Sequence, residues 1–308
     1  MDSSKPSKRQ PAESLWKLGG LNPRQLFTNV VHRIREDNFI GRASELAFDF
    51  LFALFPLILF LLTLIGIFAS QSSKLQSSLL SYFSDYLPPV AFQLLRQTTA
   101  ELAANASGGK LTIGLLVALI FASGGASSMI GALNLAYRAH ETRSWLRVRA
   151  IALVLTVAIS VLLISALFLL LMSGDGVEWI GSKLHLTPFT VILWKALQWP
   201  LTILFVFLSY SLIYFWGPCF PKRRWLWLTP GSATGVLLWL IASLGFRIYL
   251  YFFDSYSSIY GSLGAVMILL FWLYMTAFAF LVGAEVNAEI ELAALPSRED
   301  IQEKVSNS

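Results

Sequence analysis

The chain has 308 residues, of which 56% are hydrophobic and 13% are charged, and its mean hydropathy is +0.64. A soluble domain is about half apolar and about a quarter charged, so this composition excludes an ordinary soluble protein and indicates an integral membrane protein. The net charge of +5 is accounted for by the basic segments that membrane proteins keep on one side. It does not call for nucleic-acid binding.

Cysteine and histidine usage argues against a metal or redox cofactor. Cys219 is the single cysteine, which excludes an intramolecular disulfide and a zinc or iron–sulfur site built from cysteines. The three histidines, His32, His140 and His185, lie far apart on different segments. We therefore expect no cofactor and no metal site.

The N-terminal region divides into a polar tail and a short helix. Residues 1–22 form the tail, which we predict to be disordered. Asn22 is placed as a helix cap, with Pro23 at the first helical position. The apolar face of this helix is formed by Leu26, Val30 and Ile34. With basic residues on the rest of its surface, the helix is expected to lie along the inner surface of the membrane.

Six long apolar segments follow, each able to cross a hydrocarbon core of about 30 Å as a helix. Backbone polar groups must be paired inside lipid, and the segments are too long and too evenly apolar for barrel strands, so the fold class is predicted to be all-α. The predicted spans cover residues 48–69, 111–135, 149–172, 190–216, 227–252 and 261–284. They belong to one membrane domain, residues 23–292, which is followed by a polar C-terminal tail, residues 293–308.

The distribution of Lys and Arg predicts the orientation of the chain. With the N-terminus inside, the cytoplasmic segments hold seventeen of these residues and the opposite side holds four. Cytoplasmic segments of membrane proteins accumulate positive charge, so both termini are predicted to be cytoplasmic. The longest external connection is predicted to form a helical hairpin over residues 72–105, which caps the bundle or rests on the outer leaflet.

Small residues mark two expected helix contacts. Gly124, Ser128 and Ala132 lie one turn apart in the second span, and Gly231 and Gly235 have the same spacing in the fifth. Small residues on one face let helices approach closely in lipid, so we predict packing contacts at both places.

Charged side chains at the edges of the spans concentrate on the inner side. Arg42, Glu45 and Asp49 share one helix face at the start of the first span, and Glu285 and Glu289 are one turn apart at the end of the sixth. The polar cluster expected at this depth consists of Arg42, Glu45, Asp49, Asn134, Arg138, Glu285 and Glu289. Two interpretations stay open. Either the acids pair with the arginines and clasp the first helix to the last, or the carboxylates form a proton or cation site.

Two cations lie toward the outer side of the spans. Lys195 is in the fourth span and Arg247 is in the fifth. If both face the bundle, they form a positive pocket suited to a phosphate or carboxylate headgroup. Alternatively, each side chain reaches outward to the membrane surface or pairs with a nearby acid, Asp175, Glu178 or Asp254.

Three stretches of the chain carry a family resemblance: ASELAFDFLFALFPLILFLL, LNLAYRAHETRSWLRVRAIAL, and the long run from PGSATG to GAEVNAEIE. They resemble the YihY/BrkB family of bacterial inner-membrane proteins, which has also carried the label ribonuclease BN. The resemblance covers about residues 30–292 and is most specific at YGSLGAV and GAEVNAE. It implies a multi-pass protein of the bacterial cytoplasmic (inner) membrane with six spans.

These observations favour a transporter-like or flippase-like protein that handles an anionic lipid or another anionic or amphipathic envelope molecule, with membrane lipids as its partners. A non-catalytic scaffold for envelope integrity is the alternative. A third alternative, ribonuclease activity, rests on the family label alone and is disfavoured. Three scattered histidines do not supply the metal ligands of RNA hydrolysis, and cytoplasmic loops of about ten residues leave no basic groove. We therefore expect no enzymatic activity and no nucleic-acid partner.

Overall fold

The computed structural model describes residues 16–69, 109–171, 188–220, 226–252 and 256–294, together with Leu80, Gln93, Arg96, Gln97 and Ala100. In these residues a 3-10 turn, Leu18–Gly20, precedes seven α-helices. They are α1 (Pro23–Glu36), α2 (Phe39–Ala69), α3 (Gly109–Ala136), α4 (Trp145–Leu171), α5 (Pro188–Trp216), α6 (Pro230–Phe252) and α7 (Tyr256–Ala293). The regular structure of the described ranges is all helical, which confirms the predicted fold class. The predicted external hairpin, residues 72–105, lies almost entirely outside the described residues.

Five segments of the described ranges are long and apolar enough to cross a membrane. They are Leu116–Ala136, Trp145–Ala166, Ile192–Trp216, Pro230–Leu250 and Val266–Ala293, in α3 to α7. α2 contains the first predicted span, residues 48–69, but is not one of these five segments. The count of six spans and the cytoplasmic position of both termini therefore stay predictions.

Several helix ends differ from the predicted span limits, among them the starts of α2 and α4 and both ends of α7, and two of these differences have a local reason. α6 starts at Pro230 and not at residue 227, because Thr229 caps it. The Thr229 hydroxyl accepts the Ser232 N–H at 3.0 Å, and the Ser232 hydroxyl accepts the Thr229 N–H at 2.9 Å. α7 runs to Ala293, well beyond residue 284, since polar residues in its last turns find partners within the protein.

α7 is the central helix of the described structure. It contacts α1, α2, α3, α6 and the Leu18–Gly20 turn, and every residue from 281 to 290 is buried. Its apolar neighbours include Phe39, Ala43 and Leu46 of α2, Leu133 at the end of α3, Tyr137, and Ile213 and Tyr214 of α5. The polar side chains on this part of α7 are thus enclosed by protein and do not face the headgroup region.

Glycines allow α6 and α7 to cross at very short range. A Cβ added at Gly283 would lie 2.6 Å from the Gly231 carbonyl oxygen and 3.0 Å from the Cα of Gly235. The same Cβ would lie 2.5 Å from the hydroxyl of Tyr214, which donates to the Phe280 carbonyl at 2.6 Å. The prediction that Gly231 and Gly235 are packing contacts is confirmed.

In α3 the close helix contact is made by a different glycine from the predicted one. Gly124 has open space where a Cβ would be, with nothing within 4 Å. The close approach is made by the next residue, Gly125, whose added Cβ would lie 3.1 Å from the Cβ of Ala53 on α2. The contact face is thus rotated by one residue from the predicted one, a shift that regular spacing of small residues cannot reveal.

α1 has the predicted cap and the predicted apolar face, but that face packs on protein. The backbone N–H of Asn22 donates to the side chain of Gln25 at 3.1 Å, which fixes the start of the helix. Leu26, Val30 and Ile34 form one cluster with Val282, Val286 and Ile290 of α7. The turn before α1, assigned to the polar tail by prediction, also lies on α7: a Cβ at Gly19 would be 2.5 Å from the Ile290 carbonyl oxygen.

Candidate functional site

Two carboxylates lie one turn apart inside the enclosed segment of α7. Glu285 is 0% exposed and Glu289 is 7% exposed. Their spacing of four residues places both on one helix face. An ionisable side chain that is enclosed in this way inside a membrane protein is costly and is commonly paired or functional.

Glu289 joins three separate elements. Its carboxylate accepts a hydrogen bond from the amide of Asn29 on α1 at 3.1 Å and another from the guanidinium of Arg138, which follows α3. The Nε of Arg33, also on α1, lies 3.9 Å from the same carboxylate. Glu289 is therefore a compensated charge that ties α1 and the end of α3 to α7.

Glu285 differs from Glu289 because neither of its carboxylate oxygens has a hydrogen-bond partner in the described structure. The charged groups that act on it electrostatically are the acids Glu289 and Asp37 and the arginines Arg138 and Arg33. Burying a charged carboxylate without a hydrogen-bond donor costs roughly several kcal/mol of free energy, unless a proton or a cation neutralises the charge. Of the two carboxyl groups, Glu285 is thus the one that no described hydrogen-bond donor compensates.

Asn287 occupies the opposite side of the same helix turn and is not part of the predicted polar cluster. It is 1% exposed, accepts the Gly231 N–H at 2.8 Å and donates to the Thr229 hydroxyl at 2.9 Å. Its amide thereby pairs buried polar groups at the N-terminus of α6. The sequence feature that could have indicated this role is the helix start at Thr229–Pro230. The first N–H groups of a helix need acceptors from outside the helix, and the small residue Gly231 leaves room for one.

Asn134, predicted to lie with the glutamates, instead belongs to a loop latch that consists of Asn134, Glu141, Arg143 and Cys219. The Asn134 amide donates to Glu141 at 2.7 Å, and its oxygen accepts the Cys219 N–H at 2.7 Å. Glu141 also accepts from the Arg143 guanidinium at 2.7 Å. Arg143 in turn donates to the Gly217 carbonyl at 2.8 Å. The loop latch therefore joins the end of α3 to the end of α5.

The loop latch should respond to acid. The hydrogen bond from Arg143 lowers the pKa of Glu141 from 4.5 to about 2. Because this pKa is lower in the folded state, the stabilisation is complete above about pH 4.5 and is lost as the pH falls toward 2. We expect Glu141→Gln to cost about 1 kcal/mol at pH 7, the upper end for a partly exposed ion pair. Thermal unfolding of both proteins in detergent between pH 7 and pH 2.5 measures this, and a cost that stays constant with pH would contradict it.

The remaining inner-side residues do not join the buried pair. Arg42 and Glu45 are exposed and pair with each other at 3.0 Å. Asp49 is half-buried, and no ion pair connects it to another described residue. Beside Arg42 and Glu45 an open cleft of about 520 Å³ lies between the corner of α1 and α2 and Leu135. The predicted clasp between α7 and the start of α2 is therefore corrected: the partners of Glu289 are Asn29, Arg33 and Arg138.

The outer-side cations are described only in part. Arg247 lies on α6 with its side chain exposed, while the side chain of Lys195 lies outside the described residues. The same is true of the acids predicted to pair with them, Asp175, Glu178 and Asp254. A shared anion pocket between the two cations stays a prediction.

Metal-ligating side chains do not gather in the described ranges: no group of three or more His, Cys, Asp or Glu is placed to hold an ion there. Cys219 is half-buried, and its sulfur lies 3.3 Å from the Thr142 hydroxyl.

Known proteins resemble this chain over most of its length. The family model described as virulence factor BrkB matches residues 30–307. YfkH of Bacillus subtilis, which is named as ribonuclease-like, is 29% identical over 248 residues, covering 80% of this chain and 88% of that protein. A UPF0761 membrane protein of Alteromonas mediterranea is 28% identical over 277 residues, covering 87% of this chain and 88% of that protein. Another from Rhodospirillum centenum is 27% identical over 267 residues, covering 85% of this chain and 56% of that protein. No solved structure matches.

Proposed function

We propose that this chain, which belongs to the BrkB family of membrane proteins, is a transporter-like or flippase-like protein for an anionic or amphipathic envelope molecule. In this proposal Glu285 binds the proton or cation that accompanies the movement. The observation that carries it is the complete burial of Glu285 with no donor to either carboxylate oxygen. A purely structural role would favour a paired carboxylate, such as Glu289, over an unpaired one.

The proposal includes a location and an orientation. The protein resides in the bacterial inner membrane with six spans and both termini in the cytoplasm, as the excess of Lys and Arg on one side supports. Glu285 then lies near the cytoplasmic end of α7, beneath α1 and Arg138. Glu289 holds both of these elements, which supports the proposal that they close the cytoplasmic side of Glu285 in one state of the transport cycle.

Lipids and an anionic solute are the proposed partners, with Arg247 and Lys195 as outer contacts for the anion. Cleavage of RNA is not part of the proposal, although one relative is named as ribonuclease-like. Incubating the pure protein with RNA and divalent metal is the corresponding test.

Proteoliposomes provide the direct test of transport. We expect the wild type to move a fluorescent anionic phospholipid or a candidate anion across the bilayer, with a rate that responds to an imposed pH or cation gradient. Glu285→Gln keeps the side-chain size but cannot exchange a proton, so the rate should fall by tenfold or more. Glu45→Gln is the matched control, because Glu45 is exposed and pairs only with Arg42 among the described residues.

Two results would contradict the proposal. One is the absence of movement by the wild type for every tested lipid and anion, with partner proteins co-purifying instead, which favours the scaffold. The other is an equal rate for the wild type and Glu285→Gln, which removes Glu285 from the mechanism.

A further inference from the structure

α1 has a second face that does not pack on α7. Its first face, with Leu26, Val30 and Ile34, is buried against α7. Arg24, Phe27, Val31 and Arg35 follow the spacing i, i+3, i+7 and i+11, which places them together on another side of the helix. These four residues are called the basic face.

The basic face combines an exposed aromatic ring with uncompensated positive charge. Phe27 is 69% exposed, and Arg24 and Arg35 are both exposed. No ion pair connects either arginine to another residue in the part of the chain that the structure describes. The one acid of α1, Glu36, pairs with Arg33 at 2.9 Å, away from this face. The basic face thus carries two positive charges and no negative one.

The position of α1 limits what can cover this face. α1 is fixed on Val282, Val286 and Ile290, in the last part of the apolar segment Val266–Ala293. It is therefore held at the boundary of the membrane, where an exposed aromatic ring can enter the headgroup layer and arginines can contact phosphates. A surface of anionic lipid complements this face in both polarity and charge.

We propose that the Arg24–Phe27–Arg35 face of α1 binds the headgroups of anionic phospholipids. The bound lipid holds α1 from the side opposite to Glu289, which the Asn29 amide and Arg33 hold from within. The lipid composition of the membrane then sets how firmly α1 covers Glu285. The binding step does not depend on whether the chain transports a solute, so the two proposals can fail separately.

A single fluorescent label on α1 tests the binding. In the full-length Cys219→Ser protein, Thr28→Cys places one thiol beside the basic face for an environment-sensitive nitrobenzoxadiazole dye. In nanodiscs of phosphatidylcholine with increasing phosphatidylglycerol, we expect the dye emission to rise and shift to the blue at a low anionic fraction. Each arginine near an anionic surface contributes about fivefold in binding. Arg24→Gln with Arg35→Gln should therefore require at least about tenfold more anionic lipid, and 0.5 M salt should weaken the wild-type response.

The matched control neutralises a different exposed arginine. Arg42→Gln removes a positive charge that pairs with Glu45 and lies on α2, so its lipid response should equal that of the wild type. The proposal is overturned if the dye ignores phosphatidylglycerol, or if Arg24→Gln with Arg35→Gln responds like the wild type. An unchanged thermal unfolding midpoint of the double variant in detergent shows that a lost response does not come from misfolding.

Discussion

Gly231→Ala is expected to destabilise the protein by about 3 kcal/mol, at the upper end for overpacking of a core. The added methyl group would overlap the Gly283 carbonyl oxygen and the side chain of Asn287. The first of these is backbone and cannot turn away, so α6 and α7 must separate along their crossing. The measurement is the free energy of unfolding in a detergent or bilayer system, together with the yield of folded monodisperse protein.

Gly245→Ala is the matched control for this change. Gly245 lies on the same helix, and nothing lies within 4 Å of its added Cβ. Alanine is the better helix former by about 1 kcal/mol, so this variant should be neutral or slightly more stable. If both alanine variants had the same stability, the close crossing of α6 and α7 would not limit the fold.

Asn287→Ala is expected to cost about 2–4 kcal/mol, because it leaves the buried Gly231 N–H without its acceptor, removes the amide donor to the Thr229 hydroxyl and opens a small cavity. Asn287→Asp is the informative comparison. An aspartate keeps the acceptor for the Gly231 N–H, and negative charge is favourable at the N-terminus of α6, so it should lose less than the alanine variant. Urea or thermal unfolding of the three proteins provides the comparison, and equal losses for Ala and Asp would contradict the account.

The helices were predictable from sequence because long apolar runs have few alternatives in a membrane. α3 and α5 match their predicted spans closely, since charge and proline mark their ends. The end of α7 could not be predicted in this way, because the helix continues to Ala293, beyond the predicted limit at residue 284. The acids after residue 284 suggest an exit to water, yet their partners are remote in the chain: Asn29 lies 260 residues from Glu289, and Arg138 lies 151 residues from it. Helical spacing reports only neighbours within one helix.

The candidate site, like the fold, could be predicted from the sequence only in part. The sequence identified the Glu285 and Glu289 pair, since two acids four residues apart at the end of an apolar run are conspicuous. It could not distinguish their roles. Glu289 is paired and Glu285 is not, and that difference depends on where Arg138 and α1 are placed by the rest of the fold. Arg42 and Glu45 have the right spacing for a clasp but satisfy each other at the surface.

Under the proposed function, Glu285 is a buried carboxyl group that exchanges a proton or cation. Dicyclohexylcarbodiimide is apolar, enters membranes and reacts with protonated carboxyl groups, so it reports on such a residue directly. Proteoliposomes treated with this reagent at several pH values are digested, and each carboxyl adduct is quantified by mass spectrometry. We expect a dominant adduct on Glu285 that forms faster at lower pH and is absent from Glu285→Gln, with far less on the paired Glu289. No adduct on Glu285 at any pH, while exposed carboxyls such as Glu45 react, would contradict it.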